Sequence, residues 1–272
     1  MVIRILSSVI GLPILIFLVV YGSIPLQIAI TFAGLIGMYE FYHAFALKSK
    51  GVQYIAYFFG VIYMIFIDEI INWQNMFNVF VSLFLLILLM YSVLFHNKTN
   101  AEEAMLGFFG FFYVMFLLSH IFLIRSYTYG IAFVWLAFIT AWGCDTGAYF
   151  TGVTIGKHKL IPTLSPKKTV EGAVGGVITA TVLALLYGWL IQATFPLQDV
   201  NVFLLCGLTG IFGSILSQIG DLAASAMKRY TGIKDFGKLI PGHGGILDRF
   251  DSVLLTAPVV YYIMMFLMHI DL

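Results

Sequence analysis

Charge is scarce in this chain. Only 10% of its 272 residues are Asp, Glu, Lys or Arg, while 61% are hydrophobic and the mean hydropathy is +1.00. A soluble domain is usually about 45–50% apolar, so a water-soluble globule is excluded and the chain belongs in a bilayer. An excess of one sign is also missing. The 14 Lys+Arg stand against 13 Asp+Glu, without the basic surface that a nucleic-acid partner needs, so none is expected. Cysteine is limited to Cys144 and Cys206, both in apolar runs. With no CxxC or Cys/His ligand spacing, they read as small buried side chains. No clear small-residue cleavage site follows the first apolar run, so it reads as a retained span and not a removable leader.

Long apolar segments are what the chain has in plenty. A spanning helix needs roughly 20 mostly apolar residues, and nine stretches qualify: approximately 5–23, 24–46, 52–67, 76–95, 104–124, 127–147, 172–195, 201–226 and 250–270. The third is short and has the least certain bounds. The expected fold is therefore all-α, a polytopic integral membrane protein with about nine transmembrane helices. Basic residues concentrate on the cytoplasmic side of membrane proteins. With the N-terminus cytoplasmic and the C-terminus external, thirteen of the fourteen basic residues fall inside, and only Arg125 is left outside. The external loops around Asp68, Glu69 and Asp199 then carry acid alone. Residues 1–125 read as a transmembrane scaffold, and 126–272 as a transmembrane catalytic region with its active site on the cytoplasmic face.

The scaffold half offers little chemistry. Glu40 and His43 form a Glu-x-x-His step that binds metal in some bundles, but such sites need a second copy and the chain has none. The favoured reading of Glu40 is an interfacial carboxylate. In the second half Asp145 sits among small residues near the cytoplasmic end of the sixth span, where a carboxylate needs a cation, a polar cavity or a basic partner from the 157–168 loop. Gly152 to Lys157 is one residue short of a phosphate-binding loop and has His158 in place of its hydroxyl residue, so that reading is rejected. Ser165, Lys167, Lys168 and Thr169 precede the seventh span, where a helix N-terminus favours anions. The two lysines serve equally well as interfacial anchors. Gly172 and Gly176, and the small residues Gly210, Gly213, Ser214 and Ser217, permit close helix packing, within one subunit or between two.

Most of the charge gathers between Gly220 and Asp251. Asp221, Ser225 and Lys228 follow at i, i+4 and i+7, on one helix face. Asp248 and Asp251 lie three apart at the start of the last helix, where negative charge suits the helix dipole. Carboxylates at both ends can hold a divalent cation. The basic residues and the amides of Gly242 to Gly245 can hold phosphate oxygens. Metal with phosphate points to phosphoryl or nucleotidyl transfer.

Ser225-x-Met227-Lys228-Arg229, Lys234-Asp235-x-Gly237 and Ile240-Pro241-x-His243-Gly244-Gly245-Ile246-x-Asp248-Arg249-Phe250-Asp251 resemble the complete signature of the phosphatidate cytidylyltransferases, or CDP-diacylglycerol synthases. DTGAYFTG and SPKKTVEG are similar to that family's other recurrent stretches, so the likeness is strong over residues 140–255. The resemblance implies a polytopic inner-membrane enzyme, often a homodimer, that makes CDP-diacylglycerol and pyrophosphate from CTP and phosphatidic acid. It implies a magnesium requirement and allows a second, monovalent cation such as potassium. By resemblance Asp221 and Asp248 lead as metal ligands, with Asp145 and Asp251 as further or outer ligands. The candidate catalytic residues are Asp221, Lys228, Arg229, His243, Asp248 and Arg249. The candidate substrate-binding residues are Ser165, Lys167, Lys168, Thr169, Ser225, Lys234, Gly244 and Gly245. A CTP-dependent lipid kinase and an ion-coupled transporter fit less well, the first because of the complete signature and the second because bases crowd beside the acids.

Overall fold

A computed structural model describes residues 2–73, 75–195, 197 and 200–268, with side chains from residue 9 onward. Asp199 and the side chain of Arg4, one of the thirteen bases placed inside, lie outside the described residues. The described residues form twelve α-helices: α1 (Val2–Tyr21), α2 (Ser23–Ala44), α3 (Lys50–Ile65), α4 (Ile67–Asn72), α5 (Met76–Leu94), α6 (Ala101–Gly110), α7 (Leu117–Ser126), α8 (Gly130–Ile155), α9 (Val170–Thr194), α10 (Val202–Leu208), α11 (Ser214–Tyr230) and α12 (Leu247–Leu267). Short π-helical turns, Phe111–Phe116 and Thr209–Gly213, join α6 to α7 and α10 to α11, so each pair runs as one long helix.

Seven of the described helical stretches are long and apolar enough to cross a membrane: α2, α5, α6–α7, α8, α9, α10–α11 and α12. The chain is thus an all-α polytopic membrane protein. Helices also cover the other two expected segments, but α3 has only 16 residues and the described apolar part of α1 runs from Val9 to Tyr21.

Burial follows from helical spacing. Along α5 only Phe80, Phe84 and Leu88 are buried, one stripe at intervals of four, while Leu83, Leu86 and Met90 are exposed. Such a helix turns one edge inward and most of its surface toward lipid. On α9 the buried stripe is Gly172, Gly176, Ala180, Ala184, Gly188 and Ile191. These small residues let α8 come close: a Cβ on Gly176 would stand 2.9 Å from the Cys144 carbonyl oxygen. On Gly210 it would stand 2.6 Å from the Thr181 Cα. The small-residue steps are therefore used for packing inside this subunit.

Arg125 donates from Nε to the Val19 carbonyl at 2.8 Å and from Nη2 to the Val20 carbonyl at 2.9 Å. It caps the C-terminus of α1, where orphan carbonyls and the dipole favour a cation. One hydrophobic core runs through both halves of the chain. His120 of α7, for example, packs edge-on against Tyr261 of α12 with ring centres 5.3 Å apart.

The loop between α8 and α9 contains a small hairpin that helical periodicity does not announce. Strand β1 (Lys159–Ile161) pairs antiparallel with β2 (Ser165–Thr169). The hairpin returns the chain to the start of α9, where Thr169 Oγ1 accepts from the Gly172 amide at 3.1 Å as an N-cap. Glu171 accepts from the amides of Lys157 and His158 at 3.1 and 3.2 Å and meets the His158 ring at 2.6 Å. The end of α8 and the start of α9 are thereby tied together.

Candidate active site

Three helix ends and two loops converge beside this hairpin. Lys168, on β2, places its ammonium 2.5 Å from Asp221 Oδ2 of α11, and its charge also acts on Asp145 of α8. Asp145, Tyr149, Lys167, Lys168, Gln218 and Asp221 line part of a cavity of about 450 Å³ between α8, α9, α11 and the hairpin. Asp145 thus borders this cavity and feels the Lys168 charge, while the ion pair of Lys168 goes to Asp221. Asp251, just after the first turn of α12, interacts electrostatically with both Asp221 and Asp145. Its backbone lies against Gly220, where a Cβ would stand 2.5 Å from the Asp251 carbonyl oxygen.

Asp248 faces another way. Its Oδ1 accepts from Lys228 Nζ at 2.9 Å, and its Oδ2 accepts from the amides of Phe236 at 2.8 Å and Gly245 at 3.0 Å. The pair is buried, with side-chain exposures of 13% for Lys228 and 2% for Asp248. Lys228 also sits 5.4 Å from the centre of the Phe236 ring. Asp248 therefore pins the 234–245 loop through Oδ2 and ties it to α11 through Oδ1. Lys228 shares a helix face with Asp221 but turns to Asp248, whereas Ser225 Oγ remains 3.4 Å from Asp221 Oδ1.

The glycine loop closes on itself. The Ile240 amide donates to the Gly244 carbonyl at 2.8 Å, and the His243 amide to the Ile240 carbonyl at 2.9 Å. Gly244 adopts φ +86°, the left-handed region that favours glycine. The His243 amide is thus engaged within the loop and the Gly245 amide by Asp248. What the loop does offer is charge: Lys234, Lys238, His243 and Arg249 line a cavity of about 700 Å³. Arg229 is exposed in the last turn of α11, where a cation suits the dipole. Ser165 is half-buried on β2, while Thr169 is buried and spends its hydroxyl on the α9 cap.

The most important neighbour of this loop comes from the scaffold half. Glu40 of α2 is only 4% exposed. Its Oε1 accepts from the Ile246 amide and its Oε2 from the Leu247 amide, each at 3.0 Å. A Cβ on Gly237 or Gly245 would overlap this carboxylate. Those two glycines are needed for close approach, and Glu40 is a site residue that a lone Glu-x-x-His step did not reveal.

Among the described residues no three His, Cys, Asp or Glu side chains form a ready metal cage. Magnesium seldom uses one; it usually takes one or two carboxylates and completes its shell with water and substrate phosphates. Asp145, Asp221 and Asp251 are carboxylates whose charges act on one another, opposed by the Lys168 charge. This donor set suits such an ion.

The description of the cytidylyltransferase family matches residues 2–267. The chain belongs to this family. It is 34% identical over 266 residues to the phosphatidate cytidylyltransferase of Bacillus subtilis (strain 168), covering 96% of each protein. It is 33% identical over 264 residues to that of Staphylococcus aureus (strain COL), covering 96% of this chain and 97% of the relative.

Lys167 separates two uses of the hairpin. If its ammonium meets a nucleotide phosphate, losing a charge-assisted hydrogen bond worth about 1.5–3 kcal/mol raises KM for CTP by about tenfold or more. Lys167→Ala is expected to show this in initial-rate measurements. An unaltered CTP dependence would leave Lys167 as an interfacial anchor.

Proposed function

We propose that this protein is a phosphatidate cytidylyltransferase, which transfers CMP from CTP to phosphatidic acid and releases pyrophosphate. The observation that carries the reading is the near-full-length match to proteins of that name, joined to a carboxylate and lysine cavity at the meeting point of α8, α9 and α11.

A phosphate oxygen of phosphatidic acid attacks the α-phosphorus of CTP, and the bond from that phosphorus to the bridging oxygen breaks as pyrophosphate leaves. The protein supplies no covalent nucleophile because the lipid phosphate already is one. Its work is positioning and charge stabilisation. Asp221, with Asp145 and Asp251, would hold magnesium, which neutralises charge on the phosphates when bound. Lys167 and Lys168 face the triphosphate in the first cavity, and Lys234, Lys238, His243 and Arg249 supply positive charge along the loop. Asp248 keeps Lys228 and the loop in place.

The same reading takes nine spans, a cytoplasmic N-terminus, an external C-terminus and a cytoplasm-facing site in the inner membrane. CTP is soluble and the acyl tails remain in lipid, so an interfacial site serves both. A homodimer and a monovalent cation beside the magnesium complete the proposal. The test is to give detergent-purified protein CTP, phosphatidic acid and magnesium and to assay CDP-lipid and pyrophosphate. Transfer of the γ-phosphoryl group to lipid would overturn it in favour of a kinase.

A further inference from the structure

We propose that Glu40 is a positioning residue for nucleotidyl transfer, setting the register of the α12 N-terminus and of the loop before it. The proposal rests on the reading of Asp221, Asp251 and the 234–249 loop as the reaction centre.

Glu40 is buried on a transmembrane helix, and among the described residues no Lys or Arg pairs with it. A charge in that setting is costly without compensation. The compensation is the N-terminus of α12: both carboxylate oxygens accept backbone amides at 3.0 Å, from residues 206 and 207 positions away in sequence. The helix dipole adds to the attraction. This is more than an end cap, because of what the capped residues carry. Asp248 follows Leu247 directly, Arg249 lies in the same first turn and Asp251 comes immediately after it. A rotation or slip of that turn moves all three.

The two acids also hold the loop from opposite sides. Gly245 gives its amide to Asp248, while its Cα faces the Glu40 carboxylate. Gly237 packs against Glu40 next to Phe236, whose amide is on Asp248. Glu40 thus fixes the loop from the α2 side and Asp248 fixes it from the α12 side. Glu40 also borders a cavity of about 860 Å³ lined by Tyr39, His43 and residues 233–239. That open space leaves the loop with little other support on this flank.

Displacing reacting groups by about 1 Å can cost about 10²-fold in rate, and interactions made only in the transition state lower kcat more than they raise KM. Glu40→Gln keeps the shape and one acceptor oxygen but turns an NH₂ toward a backbone amide. In the full-length protein it is expected to lower kcat by about 10²-fold, with KM for CTP and phosphatidic acid changed less than about threefold. Glu40→Ala should be slower still, so that glutamine gives partial rescue. Hydrogen exchange should rise in residues 233–247 while α5 and α8 keep their protection.

Wild-type turnover per folded molecule in Glu40→Gln, or activity lost only in step with thermal stability, would overturn the proposal. Asp221→Asn serves as the control. If it is inactive while Glu40→Gln turns over normally, positioning fails and the reaction centre stands. If Asp221→Asn is itself fully active, the reaction centre has been misplaced.

Discussion

Asp248→Asn is expected to destabilise the protein by roughly 3–5 kcal/mol, because it strands Lys228 as a buried charge without its partner. The isosteric amide still offers an oxygen to the Phe236 and Gly245 amides. The loss therefore reports mainly on the ion pair. Thermal unfolding in detergent reads it directly, and an unchanged midpoint would mean that the 2.9 Å pair does not form in solution. The double variant Lys228→Met/Asp248→Asn removes both charges and should regain most of the lost stability, since replacing a buried pair by apolar groups is often neutral. Activity need not follow. If turnover returns with stability, the pair is a brace for the loop; if stability returns alone, Lys228 also meets the reacting phosphates or Asp248 the metal ion.

The contrast shows why some of this protein was legible in its sequence and some was not. Apolar length is a local property, so α2, α5, α8, α9 and α12 could be placed from hydropathy alone. The i, i+4 relation of Asp221 and Ser225 is equally local, and their side chains do approach. The fates of Asp248 and Glu40 depend on chain segments that sequence spacing does not bring together. A carboxylate has the same chemistry whether it waits for a metal, a lysine or a backbone amide. Only the fold distinguishes these, giving Asp248 to Lys228 and Glu40 to Ile246 and Leu247. Thr169 is an intermediate case. A threonine just before an apolar helix, with Glu171 in its first turn, is a helix-start signal, and the same threonine stands beside the lysines Lys167 and Lys168. The hairpin had no alternating apolar pattern to mark it, since Ser165 to Thr169 is held by pairing and by the tie to α8.

Asp221→Asn should separate chemistry from folding most cleanly. Its side chain is 29% exposed and its ion partner Lys168 is 26% exposed, so the pair contributes only about 0–1 kcal/mol to stability. Metal assistance to phosphoryl chemistry is worth several kcal/mol, which corresponds to a loss on the order of 10³-fold in turnover. The expected variant is therefore folded, with a near-normal unfolding midpoint, and almost inactive at any CTP concentration. Its residual rate should also need much more magnesium for half-maximal activity, because one hard oxygen donor has become a neutral amide. Normal turnover with a normal magnesium requirement would remove Asp221 from the centre. Two aspartates on neighbouring helices should thus fail in opposite ways: Asp248 by loosening a buried pair, and Asp221 by leaving the structure intact while the charge developing on the phosphates goes unopposed.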